Sequence, residues 1–268
     1  MTLEKLTSIL AVVPEGGAEG ALFEKVCRIA RSSGAHVELF LTAASDYFAI
    51  AGRCAALKCD VPISFTMHDS ITPLAVAVLR RAAEVRADLL IAPRAQIHFE
   101  QCPIPLLLIG KTPWAAEPRF AAAIDVAEHD SESVARGILH VAGFLVQRLT
   151  AHLDILYSER EDHDEPLRFE RAVRLARLVR EYHVGVERLQ VFTGPPERVL
   201  PSLIAERHYD VLVLGTVPRH RTLLSTLHSV SRKLVGSTEG DVLLVESDSA
   251  RDARDSARST GQQLAHQA

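Results

Sequence analysis

The sequence predicts an α/β fold made of two tandem open, doubly wound units, each with a mostly parallel five-stranded sheet. Two observations lead to this prediction. Short apolar runs, too brief for helices, alternate along the chain with longer amphipathic segments. The same order of segments also occurs twice, so that ADLLIAP (87–93) matches YDVLVLG (209–215) and PIPLLLIG (103–110) matches GDVLLVES (240–247). Alternation of this kind is typical of parallel sheets with helices on both faces.

In the first half, strands are predicted at 8–13, 36–41, 63–66, 88–92 and 104–109, and helices at 18–32, 47–56 and 73–85. Only Pro93 to Pro103 separate the last two strands. This is too little chain for the helix that usually connects parallel strands. We therefore expect the first half to lack a fourth helix, and part of one sheet face to need cover from the second half or from a second copy of the protein.

In the second half, strands are predicted at 120–126, 152–157, 187–192, 211–214 and 242–245. Helices are predicted from a cap at Asp130 to about Leu149, at 167–182, at 197–207 and between the last two strands. The final strand of each half is apolar, and an unpaired apolar edge would be prone to aggregation. We expect these two strands to pair across the halves and form an internal pseudo-dimer.

Length and composition indicate a globular protein of two ordinary domains or one large one. The 268 residues are 47% hydrophobic and 24% charged, with a net charge of -4. This charge gives no reason to expect nucleic-acid or membrane binding. The chain has no apolar run near the roughly 20 residues of a membrane helix, and its N-terminus runs directly into a strand, so a cytoplasmic location is expected. The cysteines at 27, 54, 59 and 102 are expected to be reduced thiols.

The segment 210–246 carries the clearest functional signal. An apolar strand ends in Gly215 and is followed by a loop, a helix and a second apolar strand. A loop that leaves a parallel strand and enters a helix is where phosphate-bearing ligands bind. With this loop and its duplicated strand–helix unit, the chain resembles the tandem type of the universal stress protein family over about residues 5–247. The resemblance implies a Rossmann-like fold of the adenine-nucleotide α-hydrolase kind.

Nucleotide-binding members of that family carry the loop motif G-x2-G-x9-G-[ST]. Here Gly215 matches the first glycine and Ser229 the terminal hydroxyl, while Pro218 and His228 stand at the other two glycine positions. Family members also tend to place an aspartate near the adenine, and Asp125 fits that position. The resemblance thus implies nucleotide-binding residues, with ATP or AMP as the ligand, at Asp125, Val126, Gly215, Thr216, Arg219, His228, Ser229 and Val230.

The loop substitutions leave two interpretations open. Pro218 has no N–H to donate, and His228 places a ring where phosphate would meet the helix, so the segment could be a solvated surface loop. Alternatively Arg219 and its basic neighbours could replace backbone donors in binding an anion. Ser229 could donate to phosphate or cap the helix, and Asp125 could contact adenine or cap the following turn.

Other polar clusters favour a solvated surface. The arginines between Arg168 and Arg180 recur every three residues, which spreads them around a helix instead of along one face. The acidic segment 161–165 favours a flexible loop over a metal site, and no HExxH, GxSxG or Walker motif is present. No metal and no catalytic residue is therefore predicted.

These observations lead to one expectation for organisation and one for function. We expect a degenerate first domain at 1–111, a linker at 112–118, a second domain at 119–247 and a disordered polar tail at 248–268. The resemblance implies a cytoplasmic stress-response protein, a homodimer, that acts as a non-catalytic binding or regulatory module and binds an adenine nucleotide or another anion weakly. The alternatives are an ATP-binding protein with slow hydrolysis in the second domain, and an interaction scaffold without a small ligand.

Overall fold

The computed structural model describes residues 5–14, 20–42, 46–57, 60–69, 71–94, 102–126, 129–159, 165–182, 185–216 and 229–246. The first half contains β1 (Ser8–Val13), α1 (Gly20–Ser33), β2 (His36–Leu41), α2 (Tyr47–Ala56), β3 (Ile63–Met67), α3 (Leu74–Glu84), β4 (Leu89–Pro93) and β5 (Leu106–Ile109). The second half contains β6 (Arg119–Ala123), α4 (His129–Leu149), β7 (His152–Glu159), α5 (Glu165–Glu181), β8 (Val186–Thr193), α6 (Pro196–Glu206), β9 (Val211–Thr216), α7 (Ser229–Ser237) and β10 (Asp241–Glu246). The predicted order of elements is confirmed.

All these strands lie in one ten-stranded sheet with the order β3-β2-β1-β4-β5-β10-β9-β6-β7-β8. Read outward from the centre, each half has the same order, and its strands are parallel to one another. The two halves meet where β5 pairs antiparallel with β10, with Leu107 opposite Leu243. The predicted pairing of the two final strands is confirmed, and it satisfies the backbone groups that either edge would otherwise expose.

Helices cover both faces of this sheet, as a doubly wound fold requires. One buried apolar cluster packs under α1, α2, α4 and α5, and the other packs under α3, α6 and α7. Each cluster contains side chains from both halves, so the two cores are continuous across the β5–β10 junction. None of the described helices has both the length and the apolar character needed to cross a membrane.

In the described residues, the first-half sheet face that lacks a fourth helix is covered. The side chains of Leu90, Leu106 and Leu108, which face the side without a fourth helix, are all buried. Ile104, in the segment before β5, packs against the same cluster. The residues described between β4 and β5 contain no helix, and 95–101 lie outside the described part of the chain. The cluster that buries these leucines also contains Leu234 of α7, so the second half contributes to the cover, as expected.

A buried ion pair joins the two halves. The ammonium of Lys25 in α1 lies 2.8 Å from Oδ2 of Asp241 at the start of β10, and both side chains are 2% exposed. The Gly110 amide and the Trp114 indole N–H each donate to the same carboxylate at 2.8 Å. Burial raises the pKa of Asp241, and the Lys25 ammonium opposes this shift. Three donors thus hold this carboxylate: Lys25 in α1, the Gly110 amide just after β5, and the Trp114 indole in the connection to the second half.

Arg94, which follows β4, adds a second contact between the halves. Its guanidinium donates to the carbonyls of Thr238 and Gly240, in the turn between α7 and β10. Burial lowers the pKa of Arg94. Cationic groups bind well at this position because the carbonyls at a helix C-terminus carry partial negative charge.

The cysteine prediction needs one correction. Cys27 in α1 is disulfide-bonded, whereas Cys54 and Cys102 form no disulfide. Cys59 lies outside the described residues. The scattered spacing of the cysteines in the sequence gave no sign of a bond, because pairing depends on how α1 meets the rest of the first half.

Candidate functional site

A cleft opens at the carboxyl ends of β6 and β9, in the middle of the second half. These strands are neighbours, but the connection from β6 leads away to β7 on its other side. This reversal of strand order is where α/β sheets usually bind ligands. The cleft has a volume of ≈ 180 Å³. Its lining comprises Ala123, Ile124, Asp125, Val134, Ala135, Ile138, Leu156, Ser158, Pro196, Leu200, Leu214, Gly215, Ser231 and Leu234.

The structure brings two of the sequence-predicted residues to this cleft. Asp125, exposed just after β6, and Gly215 in β9 both line it. Val126 is fully buried instead, and its carbonyl accepts a hydrogen bond from Arg174 at 3.2 Å. Thr216 is half-buried outside the lining, and its hydroxyl donates to the Val245 carbonyl at 3.4 Å. Neither of these two side chains borders the cleft.

The remaining predicted residues lie in or next to the loop. Arg219 and His228 are outside the described residues. Ser229 and Val230 form the first two positions of α7, whose backbone is described. The N-terminus of α7 follows β9 in the chain, as the motif requires. The hydroxyl of Ser231, the third residue of α7, is buried in the cleft wall and donates to the Gly215 carbonyl at 3.3 Å.

Gly215 is required for packing between β9 and α4. A Cβ atom at this position would lie 2.1 Å from Cγ1 of Val134 and 3.2 Å from Cδ1 of Ile138. Gly215 does not have a positive φ angle; the positive-φ glycines in the described residues are Gly34 and Gly194. The family resemblance implies that Gly215 contacts a nucleotide, and the structure shows in addition that a glycine here allows the close approach of a helix to a strand end.

The walls of the cleft are mainly apolar. Besides Gly215, the described lining residues that are not apolar are Asp125, Ser158 and Ser231, and among these described residues only Asp125 is ionisable. The Ser158 hydroxyl, at the end of β7, donates to the Gly194 carbonyl at 2.5 Å. An apolar site with a few polar groups at its rim suits a small organic ligand. Within the described residues, no group of His, Cys, Asp and Glu side chains could hold a metal ion.

Sequence reasoning missed Ser158 and the wall formed by α6. The signal for Ser158 was its place at the end of the second strand of this half, because parallel strands end at the same edge of a sheet. Leu200 in α6 gave no such signal. Its place in the wall depends on how α6 packs on the sheet, which the helix pattern alone does not fix.

A second buried polar cluster lies at the opposite, amino-terminal edge of these strands. The Tyr209 hydroxyl donates to Oδ2 of the buried Asp154 at 2.5 Å, and the Arg119 guanidinium stacks 4.9 Å from the Tyr209 ring centroid. Burial, and then the hydrogen bond to Asp154, raise the pKa of Tyr209 to about 12. Since Tyr209 stays protonated, it serves as a permanent donor to the buried carboxylate. None of these residues lines the cleft.

Comparison with known proteins places the second half in a family. Residues 119–246 match the model of the universal stress protein family. The universal stress protein E homolog of Haemophilus influenzae is 22% identical over 163 residues, which cover 54% of this chain and 50% of that protein. The chain spans about half the length of the curated relatives it matches.

The likeness to solved structures extends over both halves of the chain. A functionally unknown protein from Pseudomonas aeruginosa PAO1 superposes with a TM-score of 0.75 at 20% identity, over 95% of this chain and 98% of that chain. A universal stress protein from Archaeoglobus fulgidus superposes with a TM-score of 0.58 at 12% identity, over 88% of this chain and 98% of that chain. At these identities the likeness concerns the fold. The resemblance predicted from the loop and the strand order is confirmed for the second half, where residues 119–246 match the universal stress protein family.

Proposed function

We propose that this chain is a tandem universal stress protein whose second half binds an adenine nucleotide, or another anion, weakly. Its two units would comprise residues 1–111 and 119–247, joined by a linker at 112–118 into an internal pseudo-dimer. The repeated strand order and the β5–β10 junction support this organisation. The observation that carries the binding proposal is the cleft between β6 and β9, at the point where strand order reverses.

The described cleft supports a binding or regulatory role better than a catalytic one. A catalytic site needs a nucleophile, a base and a donor for the developing negative charge. Ser158 and Ser231 both donate to backbone carbonyls, and no His, Lys or Arg belongs to the described lining. Weak binding is expected because Pro218 and His228 replace two glycines of the phosphate loop.

A thermal-shift series with AMP, ADP, ATP and no ligand tests this proposal. A ligand at 100 times its dissociation constant stabilises the folded protein by about 2.7 kcal/mol. We expect a measurable rise in Tm at millimolar nucleotide. No rise with any of the three nucleotides would contradict the proposal.

Two alanines of α4 provide matched variants for locating the ligand. Ala135 lines the cleft, and Ala142, two turns further along the same helix face, is equally buried but lies outside the lining. Changing either to valine should cost about 1–3 kcal/mol through overpacking. Ala135→Val should also abolish the nucleotide-induced rise in Tm, whereas Ala142→Val should retain it. An equal ligand response in both variants would show that the ligand binds elsewhere.

A further inference from the structure

We propose that β8 and α5, at the outer edge of the second half, form an interface that binds the same surface of a second copy of this chain. β8 is the last strand of the ten-stranded sheet, and in the described part of the chain it pairs with β7 alone. A strand with an unpaired edge offers its backbone groups to another strand. None of the described residues of β8 or α5 lines the cleft between β6 and β9, so this interface goes beyond the proposed nucleotide binding.

β8 is more exposed than the strand at the other end of the sheet. Five of its eight residues are exposed, whereas β3 has five residues and four of them are partly buried. The exposed residues of β8 include Leu189 and Val191, which are 40% and 50% exposed. Both lie opposite side chains of β7 that pack in the cluster under α5, Ile155 and Tyr157, so both face the α5 side of the sheet. The described residues thus leave two apolar side chains half-covered at this edge.

The side of α5 that faces away from α4 is also apolar. Glu181 accepts a hydrogen bond from Arg136 of α4 at 3.4 Å, which marks the side of α5 toward α4. At about 100° per residue, Ala172 and Ala176 fall on the opposite side, above the outer edge of β8, and Phe169 lies next to them. Phe169 is 73% exposed, and both alanines are half-buried. We call this surface the edge patch; it comprises Phe169, Ala172, Ala176, Leu189 and Val191.

The edge patch is complementary to itself under a two-fold rotation. Paired antiparallel about Gln190, two β8 strands place Leu189 of each copy opposite Val191 of the other, on the side of α5. Apolar cross-strand pairs of this kind stabilise a sheet, and most dimers of identical chains are two-fold symmetric. α5 connects the end of β7 to the start of β8, and with 17 and 8 residues both elements are about 25 Å long, so their midpoints lie at about the same height. One axis therefore brings together both the strands and the helices.

The charges on this side of α5 favour the antiparallel arrangement. Glu165 begins the helix, Arg180 lies in its last turn, and both are exposed. They are within about 60° of each other around the helix axis and about 22 Å apart along it. In an antiparallel pair of helices each Glu165 meets Arg180 of the other copy, whereas a parallel pair would bring like charges together. Complementary charges of this kind fix the orientation of an interface.

The chain already contains a junction of this construction. β5 and β10 pair antiparallel where the two halves meet, and α1 packs against α4 across that pair. A β8–β8 pair flanked by two α5 helices repeats this arrangement between two copies. It satisfies the backbone groups at the outer edge of β8 and covers the apolar side chains of the edge patch.

Analytical ultracentrifugation over a range of concentrations tests the proposal with two matched phenylalanine variants. Phe169 in α5 and Phe48 in α2 lie in helices over the same face of the sheet, at its opposite ends, and are 73% and 83% exposed. We expect the wild type to dimerise. Phe169→Glu should raise the dimer dissociation constant at least about tenfold, and Phe48→Glu should leave it unchanged. Because both side chains are mostly exposed, both variants should keep the wild-type circular dichroism spectrum.

A charge exchange tests the antiparallel orientation. Glu165→Arg and Arg180→Glu should each weaken the dimer by about threefold or more, because each places like charges together across the interface. The double variant should restore the affinity of the wild type, since it exchanges the two charges and keeps them opposite. A merely structural effect of either substitution would not be reversed in this way.

Three results would overturn the proposal. A wild-type chain that stays monomeric up to about 100 μM would show that another segment or a different protein covers β8. A dimer that Phe48→Glu dissociates and Phe169→Glu does not would place the interface at the other end of the sheet. A double charge variant that binds no more tightly than the single variants would contradict the two-fold antiparallel arrangement.

Discussion

Replacing Lys25 by methionine should destabilise this protein strongly. The Lys25 ammonium lies 2.8 and 2.9 Å from the two oxygens of Asp241, and both side chains are 2% exposed. Methionine keeps much of the length of the lysine stem but leaves a buried carboxylate without its counter-charge. Breaking such a pair from one side costs about 3–5 kcal/mol. That is a large part of the roughly 5–15 kcal/mol that stabilises a typical domain.

Urea unfolding measures this loss directly. Trp114 is the chain's one tryptophan, and its indole N–H donates to Asp241, so its fluorescence reports on the cluster itself. Lys233→Met is the matched control, because Lys233 is 63% exposed and lies 3.6 Å from Glu197. An exposed pair of this kind contributes about 0–1 kcal/mol. A loss below about 1 kcal/mol for Lys25→Met, or one equal to the control, would refute the reasoning.

The same variant has a predicted pH dependence. Burial raises the pKa of Asp241, and Lys25 opposes this, so removing Lys25 should raise it further. The folded variant then binds its proton at higher pH than the unfolded chain, whose aspartates titrate near about 3.9. The destabilisation should therefore be small in acid and grow as pH rises through the folded pKa of Asp241. A loss that is constant with pH would contradict this assignment.

Three smaller predictions follow from other contacts. Gly215→Ala should lower the free energy of unfolding, measured in urea, by about 1–3 kcal/mol, because its Cβ would meet Val134. Val134→Ala in the same chain should recover part of that loss, and strictly additive effects of the two substitutions would contradict the contact. Burial acts to raise the pKa of Glu38, but hydrogen bonds led by the one from Arg81 outweigh burial and lower this pKa, so the contribution of Glu38 to stability should be present above about pH 4.3 and be lost in stronger acid. Glu38→Gln should remove this acid-dependent part of the profile of Tm against pH, and an unchanged profile in acid would contradict the assignment. Hydrogen bonds to two flanking glutamates raise the pKa of His152, so its small contribution to stability should be present below about pH 6.5 and be lost as pH rises. The Tm values of the wild type and of His152→Gln should therefore converge at high pH, and a difference in Tm that is constant with pH would contradict this.

The sequence predicted the parts of the fold that depend on local pattern. Apolar runs located the strands, and the apolar character of β5 and β10 predicted their pairing, since neither could stay exposed at an edge. The covering of the first-half sheet face was predictable only in part. Some of it comes from an irregular segment that carries Ile104, and such segments have no periodic signature.

Charges and glycines were the hardest features to interpret. Lys25 and Asp241 are 216 positions apart, and each is unremarkable within its own segment, so nothing local indicates that they meet. Gly215 was correctly placed at the end of a strand beside the candidate site. Its role in packing was not predictable, because four other elements separate α4, the helix that packs on it, from β9 in the chain.

Methyl NMR of the isoleucine, leucine and valine side chains during a titration with AMP would test the central claim most directly. If the cleft between β6 and β9 binds the nucleotide, the methyl signals of Leu156, Leu200 and Leu214 should shift most. Those of Leu10 and Leu90, buried under the first half of the sheet, should stay in place. Shifts concentrated in the first half, or no shifts at saturating AMP, would contradict the account.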